Sequence, residues 1–373
     1  MITPILNPKD KKPLYEQLYL FIRTGIEDGK LKTDERLPSK RKLAAHLQVS
    51  FITVENAYAQ LLVEGYIRSQ ERKGYFVNTG QMKKSPVKTP LRPVLQQTDP
   101  PLRFDLKTNA VDTEDFPYAT WTRLMRECMR EDPRLLLAPI HPQGGYGLRA
   151  EIAGYLRDFR GVDVSPEQIV LGAGTEYLLG LICELLPGRK IALEDPGYHK
   201  IGKILQGRHV KPIYIPMDRE GMQIDALGET DASVAIVTPS HHFPLGTVMS
   251  ARRRRQLLAW AEEADDRYVI EDDFDSEFRF VLRPIASLQN LNPAKVIYLN
   301  SFAKTLAPSL RIAYMALPQE FLTRYHTFMM FYSCTVSAFE QHTLRAFLHG
   351  GYYERHLNRM RNLYRARRDV FIS

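Results

Sequence analysis

Apolar positions recur along this chain with two periods, and the changes of period divide it into parts. Over residues 13–29, PLYEQLYLFIRTGIEDG, the residues Leu14, Leu18, Phe21, Ile22 and Ile26 repeat every three to four positions, which predicts a helix stopped by Gly29. The stretch LPSKRKLAAHLQVSFITVENAYAQLLVEG then predicts two short helices. Ser39, after Pro38, suits the N-cap of a helix over 40–47, and Gln48, Val49 and Ser50 turn the chain into a second helix over about 51–64. Leu43, Ala44, Leu47, Val49, Val54 and Leu61 would share one core. After Gly65 the pattern YIRSQERKGYFVN alternates like two short strands, with Glu71-Arg72-Lys73-Gly74 as their tip. Helix, short turn, helix is the geometry that lays a second helix in a DNA major groove, and the basic hairpin would be a wing.

Periodicity stops over 79–103, TGQMKKSPVKTPLRPVLQQTDPPLR, which has five prolines, no aromatic residue, and Lys83, Lys84, Lys88, Arg92 and Arg103. Such a segment cannot bury a core and reads as an extended basic linker between 1–78 and 104–373. From 104 onward, short apolar runs alternate with helical ones. Strands are expected at QIVLG (168–172), KIALE (190–194), KPIYIP (211–216), SVAIVT (233–238), YVIEDD (268–273), KVIYLN (295–300) and RIAYMAL (311–317), with helical stretches such as TEYLLGLICELL and ARRRRQLLAWAEEA between them. This alternation predicts an α/β domain with a mostly parallel sheet covered by helices on both faces, and a ligand site at the carboxyl ends of its strands.

Charge adds an asymmetry. Residues 1–103 carry 18 Lys and Arg against 10 Asp and Glu, whereas residues 104–373 carry 33 of each, so the net charge of +8 lies wholly in the first part. The excess fits a polyanion partner for that end or a solvated basic tail, and charge does not choose between them. At 44% hydrophobic and 25% charged residues the composition is that of a globular protein, without the run of about 18 apolar residues that a membrane span needs. The N-terminus lacks the apolar core of a signal peptide, and Cys128, Cys183 and Cys334 lie far apart without metal-ligand spacing, which suits a reducing cytoplasm and no metal.

Three stretches carry candidate chemistry at expected strand ends. In 172-GAGTEY-177 a glycine turn opens a helix, which is either a phosphate cup or a plain strand-to-helix connection. In 268-YVIEDDFDSEF-278, alternation sends Asp272 and Phe274 to one face and Glu271 and Asp273 to the other. A carboxylate there would hold a cationic nitrogen heterocycle, or the cluster is a solvated loop. In 300-NSFAKTLAPSLR-311 a single lysine, Lys304, follows a strand, with Ser301 before it and Arg311 after. A lysine amine forms a Schiff base with an aldehyde, and pyridoxal 5'-phosphate is the aldehyde cofactor that also needs a phosphate site and a carboxylate for its ring nitrogen.

Two resemblances follow from these motifs. Residues 11–78, with PLY-Q, RLPS-R-LA, VS--TV--AY--L---G and GYFV, resemble the winged helix-turn-helix of GntR-type regulators. That resemblance implies double-stranded DNA as partner, phosphate contacts from Ser39, Arg41, Lys73 and Gly74, and base reading from Ser50, Phe51 and Thr53. Phe51 stands where the family often has arginine. Residues 104–373, with HPQGGYGLR, LGAGTEYLL, LEDPGYHK, VTPSHHFPLGTVMS, IEDDFDSEFR, NSFAKTLAPSLR, CTVSAFEQ and RMRNLYRARRD, resemble fold-type I aminotransferases, and the combination resembles the MocR subfamily.

The second resemblance implies that Lys304 bonds the cofactor aldehyde and that Asp272 faces the ring nitrogen. Gly174, Thr175, Ser301 and Arg311 would hold the phosphate. Tyr198 would lie beside the ring, and Lys200 would sit where some members bind an effector. Phe274 replaces a tyrosine that usually bonds the cofactor's phenolic oxygen, and His242 stands where glutamine is usual. The family continues past the helix at 366-ARRDVFIS-373 into a small domain of about a hundred residues, so the domain is expected to be C-terminally incomplete. The expected function is a transcription regulator whose domain arrangement and DNA affinity respond to pyridoxal phosphate or to an amino compound reacting with it, working as a homodimer. The alternative is an aminotransferase with an accessory DNA-binding domain.

Overall fold

The computed structural model describes residues 3–4, 6–78, 111–112, 114–131, 133–278 and 286–373. The chain forms two compact units, Met1–Arg103 and Phe104–Ser373. The basic linker expected over 79–103 lies outside the described residues.

In the first unit the order is α1 (Leu14–Glu27), β1 (Arg36–Leu37), α2 (Lys40–Leu47), α3 (Phe51–Val63), β2 (Ile67–Gln70) and β3 (Gly74–Val77). β3 lies between β1 and β2, antiparallel to both. The helix-turn-helix is set by local chemistry. The Ser39 hydroxyl accepts a hydrogen bond from the Lys42 N–H, satisfying a donor that the helix start leaves unpaired. Gln48 ends α2 in the left-handed conformation, at φ 52°, which turns the chain toward the Ser50 cap of α3. Leu18, Ile22, Ile26, Leu43, Val54, Tyr58, Leu61, Ile67 and Val77 close one core. Phe21, placed by its spacing on the apolar face of the first helix, is exposed instead. Tyr19 is buried in that core, with its hydroxyl donating to the Glu64 carboxylate.

The second unit is a helix-covered sheet of eight strands: β4 (Ile169–Gly172), β5 (Ile191–Asp195), β6 (Ile213–Asp218), β7 (Gly221–Met222), β8 (Val234–Val237), β9 (Tyr268–Asp272), β10 (Val296–Ser301) and β11 (Ala313–Ala316). Their order across the sheet is β4-β11-β10-β9-β8-β5-β6-β7. The pairs from β10 through β9, β8 and β5 to β6 are parallel, while β11 runs antiparallel to both its neighbours and β7 antiparallel to β6. The sequence pattern predicts all but β7, which is too short to leave a period.

The strands read as nearly continuous apolar runs because both faces of the sheet are buried. Ile191, Ile236, Ile270, Ile297 and Met315 face one helical layer. The alternate residues Ala192, Ala235, Val269 and Val296 face the other layer. Tyr298 and Tyr314 extend that second face toward the β4 edge. No described helix is long and apolar enough to cross a membrane.

Candidate functional site

Where the parallel strands end, the second unit has a pocket lined by all nine residues singled out there from sequence: Gly174, Thr175, Tyr198, Lys200, Asp272, Phe274, Ser301, Lys304 and Arg311. They come from segments scattered over 138 positions and are gathered by the crossovers of the sheet, as expected at strand carboxyl ends.

The glycine turn is built for close approach. Gly174 adopts φ 95°, in the region that favours glycine, and caps the helix Thr175–Leu185. A Cβ on Gly174 would collide with the Arg311 guanidinium, which donates to the Ala173 carbonyl at 3.1 Å. Free N–H groups at the helix start and the adjacent guanidinium make this corner attractive to an anion. Glu176, one residue further on, forms ion pairs with both Arg311 and Lys200. Burial raises its pKa, but hydrogen bonds from Lys200 and Arg311 outweigh that and hold it below the usual carboxylate value.

Across the pocket, Asp272 ends β9 on the face shared with Ile270. Its Oδ1 is buried and has no hydrogen-bond partner in the structure. Burial, then the nearby Asp273 and Asp275 carboxylates, push its pKa up to about 7. An uncompensated carboxylate of this kind is costly to bury unless a cationic or protonated donor meets it. Lys304 is also largely covered. Burial lowers its pKa below the ordinary lysine value, with Asp275 opposing, and this favours the neutral, nucleophilic amine. Tyr198 stands edge-on to Phe243, with ring centroids 5.9 Å apart, and Phe274 adds a further aromatic wall without a hydroxyl.

At the pocket wall and behind it, neighbouring residues fix these groups. Asp273, on the opposite face from Asp272, pairs with the buried Arg160 at 2.7 Å and accepts hydrogen bonds from Tyr298 and Ser276 at 2.6 and 2.7 Å. Thr238, at the end of β8, donates through N–H and hydroxyl to the buried Glu194 at 3.0 and 2.8 Å. His242 is buried, with Nε2 3.5 Å from Glu194. Burial, opposed by those hydrogen bonds, raises Glu194 to about 7. Sequence reasoning named neither Glu176 nor Thr238 as pocket residues. An acidic residue in a first helical turn reads as a complement to the helix dipole, and a threonine at a strand end carries no signal of its own.

These residues fit pyridoxal phosphate. There is an anion corner at Gly174, Thr175, Ser301 and Arg311, an orphaned carboxylate oxygen at Asp272 for a ring nitrogen, aromatic walls, and an amine at Lys304 for the aldehyde.

In the first unit, Ser39 and Arg41 are exposed at the start of α2, Ser50 and Phe51 at the start of α3, and Lys73 at the hairpin tip, beside the half-buried Gly74. Thr53 is half-buried, and its N–H and hydroxyl bond to the Ser50 hydroxyl. The three elements are tied together. The Tyr58 hydroxyl of α3 donates to the Pro38 carbonyl at 2.9 Å, and the Tyr58 ring stands edge-on to Tyr75 of β3 at 5.1 Å. Lys40 of α2 bonds Glu55 of α3 at 2.9 Å and lies over the Tyr75 ring. The relative placement of both helices and the hairpin is thus fixed by side chains behind the exposed basic residues.

Comparison with known proteins matches both units. Residues 14–77 match the bacterial regulatory proteins of the gntR family, and residues 104–373 match aminotransferase class I and II. The HTH-type transcriptional regulator YdeL of Bacillus subtilis is 40% identical over 376 residues, covering 100% of this chain and 81% of YdeL. The probable rhizopine catabolism regulatory protein MocR of Rhizobium meliloti is 34% identical over 387 residues, covering 99% of this chain and 78% of that one. Among solved structures, the kynurenine aminotransferase of Pyrococcus horikoshii is similar with a TM-score of 0.62 and 28% identity, over 69% of this chain and 67% of the other.

Proposed function

Because this chain belongs to the MocR-type branch of the GntR helix-turn-helix transcriptional regulators, in which that DNA-binding domain is joined to an aminotransferase class I and II domain, we propose that pyridoxal 5'-phosphate binds its second unit and sets the DNA affinity of its first. The observation that carries this reading is the convergence of Lys304, the unpartnered Asp272 Oδ1 and the Gly174–Arg311 corner on one pocket.

Each residue has a separate task. Gly174 and Thr175 present backbone donors, and Ser301 and Arg311 complete the grip on the phosphate. Asp272 accepts a hydrogen bond from the ring nitrogen, which relieves its buried charge. Tyr198 and Phe243 confine the ring, and Lys304 supplies the amine that bonds the aldehyde. Bound there, the cofactor would supply an electrophilic carbon open to the amine of Lys304 or of a small effector, and Lys200 would attract the effector's anionic group. To regulate, either ligand must bind the DNA-bound and free forms unequally. Ser39, Arg41, Lys73 and Gly74 contact phosphates, and the start of α3 enters the major groove. The protein works as a homodimer in the cytoplasm.

The test is direct. Added pyridoxal phosphate gives the protein a visible absorbance, and borohydride reduction fixes the cofactor mass on the peptide containing Lys304. Lys304→Ala abolishes both. A wild-type protein that acquires neither contradicts the cofactor reading. Steady turnover of an amino acid with a keto acid would favour the aminotransferase reading, for which the depressed pKa of Lys304 supplies a base. Phe274, without the hydroxyl of a tyrosine, supports regulation over turnover.

A further inference from the structure

The second helix of a helix-turn-helix meets base edges through its first turn, and in this chain the two hydroxyls of that turn are bonded to each other, which leaves one O–H to donate. The Ser50 and Thr53 hydroxyls bond each other at 2.8 Å, and the Ser50 oxygen also accepts from the Thr53 N–H at 3.1 Å. Glu55 is drawn back to Lys40. Between the two hydroxyls, Phe51 and Ile52 are 43% and 65% exposed. They are the only two sequence neighbours among the large apolar side chains exposed in the described part of the first unit. The same unit exposes Arg41, Lys42, Arg72 and Lys73, so this surface complements a polyanion. An apolar pair cannot accept or donate to a base edge. The feature of the major groove that it complements is the C5-methyl group of thymine.

We propose that Phe51 and Ile52 read thymine methyl groups, so that each operator half-site carries thymine where α3 enters the groove. The proposal rests on the DNA-binding reading of the first unit and adds a base preference to it. Phe51 and Ile52 act by excluding water from the methyl groups, while the basic residues supply affinity without sequence information.

The test uses the full chain and a duplex selected by it from a random-sequence pool, resynthesised with deoxyuridine in place of each thymine in turn. Uracil pairs as thymine does and lacks only the methyl group. The wild-type protein is expected to lose roughly fourfold in affinity for each methyl that it covers. Phe51→Ala combined with Ile52→Ala should bind the thymine duplex and its uracil versions alike while keeping the salt dependence of the wild type. Wild-type binding that is salt-sensitive but indifferent to thymine or uracil overturns the methyl proposal and leaves the DNA-binding reading standing. Failure to bind any duplex overturns both. A double variant that still discriminates assigns the methyl contact to other residues and overturns the proposal as well.

Discussion

Glu176 and Arg311, 135 positions apart in sequence, form an ion pair at the glycine turn, and Glu176 holds Lys200 with its other oxygen. A carboxylate there competes with any incoming phosphate for the same guanidinium. Glu176→Gln keeps the shape and removes the charge. Because all three side chains are partly exposed, the effect is modest: pyridoxal phosphate should bind about two- to fivefold more tightly, the range for a half-exposed pair. Titration by visible absorbance reads this, and unchanged or weaker binding would assign Glu176 a supporting role in the pocket instead.

Phe274 brings no phenolic hydroxyl to its wall of the pocket. Phe274→Tyr restores a donor for the cofactor's phenolic oxygen, and a net hydrogen bond of about 1 kcal/mol corresponds to roughly fivefold tighter cofactor binding. The absorbance maximum should shift as well, because that bond alters the proton affinity of the lysine–cofactor linkage. If affinity and spectrum both stay as in the wild type, the ring does not face the oxygen.

Asp272 gives a pH-dependent signature. Its folded pKa is about 7, against about 4 for an unfolded aspartate. The native state therefore holds this proton through the window from about pH 4 to 7, and the associated stability is lost as pH rises through the folded pKa. Asp272→Asn has no such loss. Without cofactor, the variant should gain thermal stability relative to wild type on going from about pH 5 to about pH 8, while binding pyridoxal phosphate more weakly. A constant difference in melting temperature across that range would contradict the burial of an unpaired carboxyl.

Much of this arrangement is readable in the sequence. The strand runs are apolar on both faces, the Ser39 and Ser50 caps bracket α2 and α3, and alternation along β9 separates Asp272 from Asp273. The remainder depends on distant partners. Arg160 and Asp273 meet across 113 positions, and no period in either segment announces the pair. β1 and β7 have two residues each. Glu176 looks like a helix-start acid until Arg311 is brought beside it. Phe21 fits the helical spacing yet is exposed, whereas Tyr19 is buried and its hydroxyl reaches the exposed Glu64 carboxylate, a partner 45 positions away that no local period announces.

The Arg160–Asp273 pair is a stability element of the strand end. Burial alone would lower the arginine's pKa, but Asp273 beside it raises it beyond the ordinary value, so the guanidinium stays charged. Arg160→Met leaves Asp273 buried without its cation and should cost about 3–5 kcal/mol. Denaturant unfolding measures this, and a loss below about 1 kcal/mol would match an exposed pair instead.

On the DNA side, Arg41→Ala should weaken binding about equally across sequences and reduce the slope of log affinity against log salt by about 1. An unchanged slope would remove Arg41 from the phosphate contacts.

The central claim is that occupancy at Lys304 is felt by the DNA-binding unit. The most direct measurement is the affinity of the full chain for the upstream region of its own gene, with and without pyridoxal phosphate, for wild type and Lys304→Ala. The account predicts that the cofactor changes the wild-type affinity and leaves the variant's unchanged. Equal wild-type affinity in its presence and absence, with the cofactor shown by absorbance to be bound, would contradict it.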